Sequence, residues 1–356
     1  MMAEQIKVVR TDRELECPGI DAKLRAYGAR VVLLPDGISE DRLIREVTDA
    51  HLLLMCYTPV TARVINAAAK LKGIVKYGVG IDAIDIAAAK ARRIPVVNVP
   101  EYAEETVAEG AFALMIALAK KLRPLGKTMD HAGWTWPTAQ WLGSDIAGKT
   151  VGIIGLGRIG RSMARMAGKG FRARVIAYDP NVSATDMREA GVEKVDDLHE
   201  MLRQCDFVSV HATLNPATRH LVGKPELEVM KPTAYLINVA RGAIVDEAAL
   251  VAALVAGDIA GAGLDVYSME PLKKSGHPMS ALFEMDNVIL TPHLTFYTED
   301  AMQRLEDDTL ARCFEILEGR PVLIKSADPR LVSQEHGVVF PDRCIQRDNV
   351  LAATQL

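Results

Sequence analysis

The stretch VGIIGLGRIG at residues 151–160 restricts the fold more than any other part of the sequence. Gly155, Gly157 and Gly160 form the pattern G-x-G-x-x-G between an apolar strand and the helical stretch RSMARMAGKG. In this context the first glycine permits a tight turn, the second lets the backbone approach a phosphate, and the third lets helix and strand pack closely. The pattern predicts a dinucleotide-binding turn, with the pyrophosphate at the helix N-terminus, where unpaired amides favour an anion.

An acidic residue stands at the position that such a turn requires. Asp179 ends the next strand-like run, ARVIAYDP, nineteen residues after Gly160. Its carboxylate can accept hydrogen bonds from a ribose diol and would repel a 2′-phosphate, so NAD is favoured over NADP as the cofactor. An unusual turn that binds no nucleotide is the alternative.

Short apolar runs alternate with alanine-rich helical stretches, which predicts parallel sheets covered by helices on both faces. The strand-like runs are IKVVRT, ARVVLLP, AHLLLMCY, KGIVKYG and IPVVNVP before the glycine pattern, and ARVIAYDP, CDFVSVHA, AYLINVA, IAGAGLDV and NVILTP after it. A chain of 356 residues is also long for a single core. We therefore predict an α/β fold with two domains.

The order of these segments predicts four parts of the chain. Residues 1–103 form the first part of a substrate-binding domain, 104–295 a Rossmann dinucleotide-binding domain, 296–326 a returning helix that completes the substrate domain, and 327–356 a tail. A long helix is expected from about Thr106 to Lys121. The tail has weak periodicity, and we expect it to be poorly ordered or to pack on a neighbour.

The tryptophans are gathered in one segment. Trp134, Trp136 and Trp141 lie in RPLGKTMDHAGWTWPTAQWLGSDIAGK, residues 123–149, which its glycines and prolines break into a loop. Tryptophans outside a core indicate a packed interface, such as that of a homodimer. A loop folded onto its own domain is the alternative.

Composition excludes several classes of function. The formal net charge of -4 gives no broad attraction to nucleic acid or to an anionic membrane. The N-terminus enters IKVVR without the form of a signal peptide, and the longest apolar run, GAFALMIALA, is too short to span a bilayer. We expect a cytoplasmic protein without a metal site, because its cysteines are far apart and form no CxxC pair. These cysteines are Cys17, Cys56, Cys205, Cys313 and Cys344.

Four polar residues follow successive strand-like runs of the second domain. Arg241 follows AYLINVA, Asp265 and Glu270 follow IAGAGL, and His293 follows NVILTP. In open α/β sheets, residues just past the carboxyl ends of strands face the ligand crevice. These side chains are therefore expected at the edge that holds the cofactor.

The order of the motifs G-x-G-x-x-G, N-x-A-R-G, L-D-V-x-x-x-E-P and T-P-H resembles the D-2-hydroxyacid dehydrogenase family over roughly residues 5–325. The resemblance implies a Rossmann domain inserted in a flavodoxin-like substrate domain, and interconversion of a 2-oxo acid and a D-2-hydroxy acid with NAD. It also implies that Arg241 binds the carboxylate and carbonyl of the substrate. His293 would be the acid–base, Glu270 its partner, and Asp265 a contact to the nicotinamide end.

The resemblance also extends to the two binding sites. In VKYGVGIDAID, backbone amides around Val79 and Gly80 would hold the substrate carboxylate, and Lys76 would add charge there. Thr106 would contact the cofactor at the start of the interdomain helix. With these, the remaining residues expected at the cofactor are Arg158, Ile159, Ala212, Thr213, Thr218, Val239 and Ala240.

The chain departs from the family after His293, where LTFYTED replaces small residues with an aromatic pair. In this respect it is similar to the C-terminal binding protein corepressors. We expect Phe296 and Tyr77 to line the substrate's side-chain pocket, and packing of Phe296 and Tyr297 against the helix start is the alternative.

The corepressor relatives define a second functional hypothesis, an NAD(H)-responsive sensor with little turnover. The intact set of Arg241, Glu270 and His293 favours the enzyme. Glu270 also argues against formate dehydrogenase, which carries glutamine in the partner role. Adenosylhomocysteine hydrolase and alanine dehydrogenase share the cofactor architecture but lack this set. His211 and the other histidines are expected to be structural.

Overall fold

The structure, a computed structural model, describes residues 5–341. Its strands are β1 (Lys7–Arg10), β2 (Arg30–Leu33), β3 (Leu52–Met55), β4 (Gly73–Lys76), β5 (Val96–Asn98), β6 (Thr150–Ile154), β7 (Arg174–Tyr178), β8 (Glu193–Lys194), β9 (Phe207–Val210), β10 (Tyr235–Asn238), β11 (Gly261–Leu264), β12 (Val288–Leu290), β13 (Val322–Leu323) and β14 (Val338–Val339).

The α-helices are numbered in the same way. They are α1 (Pro18–Ala26), α2 (Glu40–Val47), α3 (Ala62–Ala67), α4 (Ile86–Ala91), α5 (Glu104–Ala119), α6 (Leu122–Ala132), α7 (Arg158–Arg165), α8 (Ala184–Glu189), α9 (Leu198–Gln204), α10 (Lys224–Glu228), α11 (Glu247–Ala256), α12 (Glu299–Leu317) and α13 (Pro329–Val332).

The chain divides into two compact units. The described residues of Met1–Ala103 and of Glu299–Leu356 form unit 1, and Glu104–Thr298 form unit 2. The sequence places the corresponding divisions after residue 103 and after residue 295. The second division of the structure lies three residues later, at the start of α12.

Unit 1 is built on a parallel five-stranded sheet in the order β2-β1-β3-β4-β5. This is the flavodoxin-like order, with its switch point between β1 and β3. Ligands bind outside the carboxyl ends of the strands at such a point. The loops after β3 and β4 therefore lie at the functional edge of this sheet.

Unit 2 is built on a parallel seven-stranded sheet in the order β12-β11-β10-β9-β6-β7-β8. The strand order reverses between β6 and β9, as in a Rossmann fold. Both faces carry a core because successive side chains of a strand point to opposite faces. Val151 and Ile153 of β6 pack with α5 on one face, and Ile154 packs with Leu236 on the other. The predicted α/β class with doubly wound parallel sheets is confirmed.

One element of unit 2 corrects the sequence analysis. The glycines and prolines after α5 predicted a loop, but Leu122–Ala132 form α6. Pro124 lies in the first turn, where backbone amides have no partner within the helix in any case. Gly133 then ends the helix in the left-handed conformation. The prediction of a loop holds only for the segment that carries the tryptophans.

Part of the predicted tail is ordered within unit 1. The Gln334 side chain accepts a hydrogen bond from the Val96 amide at 2.7 Å and donates one to the Val96 carbonyl at 2.8 Å. It thereby pairs with the exposed edge of β5 as another strand would. The expectation of poor order is wrong for residues 327–341, and residues 342–356 lie outside the described residues.

None of the helices within residues 5–341 combines the length and the apolar character that crossing a bilayer demands.

Candidate functional site

The glycine turn follows β6 at the switch point of the seven-stranded sheet. Gly155 has a φ of +91°, and a Cβ there would lie 2.6 Å from the backbone nitrogen of Ala212, so the position requires glycine. Gly160 is packed against the Gly155 carbonyl. A Cβ on Gly157 would meet no atom within 4 Å, so the backbone at the start of α7 faces open space. This arrangement fits a pyrophosphate held by the amides of the turn.

Asp179 is fixed beside this turn. Its two carboxylate oxygens accept hydrogen bonds from the amides of Leu156 and Asn181, each at 2.9 Å. These bonds aim the carboxylate across the turn and leave further lone pairs, because a carboxylate has about four acceptor positions. The residues of unit 2 therefore fit the adenosine end of a dinucleotide.

The other predicted cofactor residues lie at four places in unit 2. Thr106 is buried in the first turn of α5, and Arg158 and Ile159 begin α7. The rest follow the carboxyl ends of β9 and β10, and these are Ala212, Thr213, Thr218, Val239 and Ala240. Their contacts with a cofactor stay a prediction.

Arg241 lies in a turn that follows β10 directly. Asn238 shapes this turn, because its side chain donates to the Arg241 carbonyl at 3.0 Å and accepts from the Ala240 amide at 3.0 Å. Gly242 packs against the backbone of Tyr267, and a Cβ there would lie 2.0 Å from the Tyr267 carbonyl carbon. The N-x-A-R-G pattern thus describes a rigid turn that presents the arginine.

Glu270 and His293 form the pair that the sequence predicts. Oε2 of Glu270 lies 2.8 Å from Nδ1 of His293, while Oε1 accepts the Tyr267 amide at 2.9 Å. Burial of the carboxyl opposes its ionisation, but the hydrogen bonds from His293 and Tyr267 and the charge of Arg241 together lower the pKa of Glu270. The carboxylate therefore stays ionised beside the imidazole at neutral pH.

Asp265 is bonded to the loop that carries His293. Its fully buried carboxylate accepts hydrogen bonds from the hydroxyls of Thr291 (2.5 Å) and Thr295 (2.7 Å), and from the amides of Leu294 (3.0 Å) and Thr295 (3.1 Å). These bonds close the loop in which His293 has a φ of +58°. A non-glycine residue in this region is strained by about 1–3 kcal/mol. The carboxylate therefore holds the His293 loop, and its contact to the nicotinamide stays a prediction.

The aromatic pair after His293 divides into a buried and an exposed ring. Phe296 is 7% exposed and meets the His293 ring edge to face, with centroids 6.4 Å apart. Tyr297 is 45% exposed. Phe296 has little surface left for a substrate, so the structure favours the packing alternative and places the phenyl ring against the imidazole.

The predicted substrate loop of unit 1 follows β4. Val79 is exposed, and its carbonyl accepts a hydrogen bond of 2.6 Å from Nδ2 of Asn98 at the end of β5. The Val99 amide donates to the Gly78 carbonyl at 3.0 Å. Asn98 was not identified from the sequence, although a polar residue in the apolar run IPVVNVP is a recognisable signal. Its side chain fixes the backbone that leads into Gly80.

Lys76 and Tyr77 lie beneath this loop. The Lys76 ammonium is buried and donates to the Cys56 carbonyl at 2.6 Å. Tyr77 is completely buried, and its hydroxyl donates to the Thr11 carbonyl and accepts from Arg10. The prediction that Tyr77 lines a substrate pocket is wrong, because the side chain belongs to the core of unit 1.

His211 follows β9 next to the glycine turn. Its Nε2 lies 2.8 Å from the Ser209 hydroxyl, and its buried Nδ1 has no partner among the described residues. Burial lowers the pKa of His211 to about 3, so the imidazole is neutral. This environment suits a structural residue.

Among the described residues, no group of three or more histidine, cysteine or acidic side chains could hold a metal ion, and Cys17, Cys56, Cys205 and Cys313 are free thiols. Cys344 lies outside the described residues.

Comparison with known proteins identifies relatives of both units. Residues 112–295 match the family described as "D-isomer specific 2-hydroxyacid dehydrogenase, NAD binding domain". The chain is 38% identical to a glyoxylate reductase of Korarchaeum cryptofilum over 306 residues, which cover 85% of this chain and 89% of that protein. It is 37% identical to a D-3-phosphoglycerate dehydrogenase of Methanocaldococcus jannaschii over 284 residues. That match covers 80% of this chain but 53% of the relative, so the chain spans about half of that protein's length.

A solved structure is similar over most of the chain. The D-lactate dehydrogenase of Aquifex aeolicus, solved with NAD and lactic acid, aligns with a TM-score of 0.79 and 28% identity, covering 88% of this chain and 96% of that one. The matched family spans the glycine turn, Arg241, Glu270 and His293. The chain belongs to the D-isomer-specific 2-hydroxyacid dehydrogenase family.

Proposed function

We propose that the protein is an NAD-dependent oxidoreductase that interconverts a 2-oxo acid and the corresponding D-2-hydroxy acid. The observation that carries this proposal is the Glu270–His293 pair, 2.8 Å apart, at the same sheet edge as Arg241 and the glycine turn. A phosphate-binding turn, a fork-shaped cation and an acid–base pair are the groups that reduction of a carbonyl beside a carboxylate needs.

In the proposed reaction each residue has a separate task. The bound nicotinamide would supply the hydride. Arg241 would hold the carboxylate and carbonyl oxygens of the substrate with two parallel hydrogen bonds and polarise the carbonyl. His293 would give its proton to the carbonyl oxygen during reduction and recover one during oxidation. Glu270 would orient the imidazole and stabilise its protonated form.

We propose NAD rather than NADP as the cofactor, and Asp179 supports this choice. Its anchored carboxylate would accept hydrogen bonds from a 2′- and 3′-diol and would repel a 2′-phosphate. Comparison of kcat/KM for NADH and NADPH tests the choice, and replacement of Asp179 by Ser should narrow the difference between them.

We place glyoxylate first among the candidate substrates, because the glyoxylate reductase relative matches over 89% of its length. The test follows NADH oxidation with glyoxylate, hydroxypyruvate, pyruvate, 2-oxobutyrate, 2-oxoisocaproate and phenylpyruvate. Turnover that His293→Ala abolishes, with NADH binding unchanged, would support the proposal. Tight NADH binding without turnover of any of these acids would contradict it and support the sensor alternative.

We also propose that the protein forms a homodimer through α6 and the tryptophan segment, residues 122–142. Helix α6 has no buried residue, and several large apolar side chains of this segment are exposed. Monomeric proteins rarely expose so many large apolar groups together. These side chains are Leu122, Met129, Trp134, Trp136 and Leu142. A second copy of the same segment is the proposed partner.

A further inference from the structure

Cys56 and Lys76 form an unusual contact beneath the substrate loop of unit 1. The Lys76 ammonium nitrogen lies 3.0 Å from the Cys56 sulfur and 2.6 Å from the Cys56 carbonyl oxygen. Both side chains are buried. The reaction proposed above assigns no role to the thiol, and a lysine is almost never fully buried unless it is paired.

The positions of both residues are fixed by the fold. Lys76 is the last residue of β4 and pairs with Met55 of β3, so Cys56 follows directly beside it. Asp12 holds the Cys56 backbone, because its carboxylate accepts the amides of Cys56 at 2.8 Å and Tyr57 at 3.0 Å. The short distance between the nitrogen and the sulfur therefore follows from the pairing of β3 with β4 and from the loop after β3, which Asp12 holds.

The surroundings keep the sulfur and the nitrogen together. A Cβ on Gly78 would lie 3.1 Å from the Lys76 nitrogen and 3.8 Å from the Cys56 sulfur, so only glycine backbone covers the pair on that side. The Tyr57 ring lies on another side, with its centroid 5.4 Å from the nitrogen, and this residue is partly exposed. The pair therefore lies directly beneath the exposed residues of the loop, which a small oxidant reaches first.

We propose that Cys56 and Lys76 are a redox modification site, at which a peroxide links the sulfur and the nitrogen through one bridging oxygen atom. The separation of 3.0 Å is close to what two single bonds to one intervening atom can span. The Cys56 carbonyl accepts a second hydrogen bond from the same nitrogen at 2.6 Å and so helps to hold it beside the sulfur.

The proposed reaction balances with hydrogen peroxide as the oxidant. The thiol loses its hydrogen, the ammonium releases one proton to water and loses one further hydrogen, and S–O and N–O bonds form to one oxygen atom. Two molecules of peroxide take up the four electrons, and the other oxygen atoms leave as three molecules of water. The first step is oxidation of the thiol to a sulfenic acid. Burial raises the pKa of the Cys56 thiol, although the Lys76 ammonium opposes this, so the reaction is expected to be slow.

The bridge would act on the site described above, and this part of the inference rests on the proposed function. It removes the positive charge of Lys76 and ties β4 to the loop after β3, directly before Val79 and Gly80. We expect a several-fold rise in KM for the 2-oxo acid and reversal by a dithiol, because the N–O and S–O bonds can be reduced.

Mass spectrometry of the whole protein tests the bridge independently of activity. The native chain is treated with hydrogen peroxide, denatured, alkylated and digested with trypsin. Trypsin does not cut at a modified lysine, so residues 46–63 should be joined to residues 73–90, with the added mass of one oxygen less two hydrogens. Treatment with dithiothreitol should release them.

Cys56→Ser, Cys56→Ala and Lys76→Arg are the matched variants and should show no joined peptide. Cys205 is an internal control, because this buried thiol donates to the Met201 carbonyl. Recovery of Cys56 as a free thiol or a sulfinic acid on an unjoined peptide would overturn the proposal, as would peptides joined without the oxygen. If the bridge formed but the untreated protein reduced none of the 2-oxo acids, that outcome would contradict the proposed function alone.

Discussion

The carboxylate of Glu270 lies 2.8 Å from Nδ1 of His293 and at the same time accepts the Tyr267 amide. One carboxylate thus connects the residue proposed as acid–base to the backbone that follows β11. Because Nδ1 is engaged by Glu270, we assign proton transfer in the proposed reaction to Nε2.

Replacement of Glu270 by Gln should keep a hydrogen bond to the imidazole and remove the charge. A hydrogen bond to a charged group contributes about 1.5–3 kcal/mol, so kcat for reduction should fall roughly ten- to hundredfold. Stopped-flow and steady-state assays with glyoxylate measure the effect, and the Kd for NADH should not change. Glu226→Gln is the matched control, because Glu226 lies 2.7 Å from His199 elsewhere in unit 2. Equal losses in both variants would contradict the assignment.

The sequence predicted the members of this site better than their environments. The order of Arg241, Glu270 and His293 after successive strands is visible because parallel strands end at a common edge. The sequence does not show in the same way whether a side chain is buried. Tyr77 follows a strand as the site residues do, but its hydroxyl pairs with groups of β1 and the loop that follows, which are distant in the sequence.

Asp265 shows that hydrogen-bond partners, like burial, cannot be predicted from the sequence pattern. Its place in L-D-V-x-x-x-E-P identifies it as important, but its four bonds come from Thr291, Leu294 and Thr295. These donors lie about a strand and a loop later in the chain. A sequence pattern gives the residue type at a position, whereas its partners depend on the closure of the loop around His293.

Replacement of Asp265 by Asn should loosen the His293 loop. The side-chain NH2 of the asparagine would lie against a hydrogen-bond donor of the loop, and neither group would have an acceptor. An unsatisfied buried donor costs about 1–3 kcal/mol. We expect a fall in kcat together with a lower unfolding free energy, because the strained backbone at His293 loses its support. Circular dichroism with urea and steady-state kinetics measure the two effects. The exposed Asp258 supplies the control Asp258→Asn, and unchanged kcat in Asp265→Asn would refute the positioning role.

Asn98 is predicted to act on substrate binding through Val79. Asn98→Ala removes the hydrogen bond to the Val79 carbonyl, which contributes about 0.5–1.5 kcal/mol. The KM for the 2-oxo acid should therefore rise roughly two- to tenfold, with kcat and NADH affinity retained. Asn66→Ala, at an exposed position of α3, is the control. A change in kcat without a change in KM would show that the loop does not bind the substrate carboxylate.

The tryptophan segment yields a prediction about assembly. Trp136 is 74% exposed, and a charge at an apolar interface is not tolerated when it is desolvated. Trp136→Glu should shift the protein from dimer to monomer in sedimentation velocity without loss of secondary structure. Val255→Glu changes an apolar residue on α11 that is 67% exposed, and it should leave the dimer intact. A wild-type protein that sediments as a monomer at micromolar concentration would contradict the proposed interface.

His211 should make folding stability depend on pH below neutrality. The folded state keeps this imidazole neutral, with its pKa lowered by burial from 6.5 to about 3, whereas the unfolded chain binds a proton below 6.5. The unfolded state is therefore favoured as the pH falls from 6.5 toward 3, by at most about 1.4 kcal/mol per pH unit.

The contribution of His211 to the unfolding free energy is measurable in the pH range in which few carboxylates titrate. Urea unfolding at about pH 7.5 and about pH 5 should show a loss of stability in the wild type that is smaller in His211→Gln, because glutamine does not titrate. Glutamine also keeps a partner for the Ser209 hydroxyl, so the variant is expected to fold. His131→Gln, at an exposed position of α6, should retain the wild-type dependence. Parallel pH profiles for the wild type and His211→Gln would mean that the imidazole is reached by solvent in the folded state.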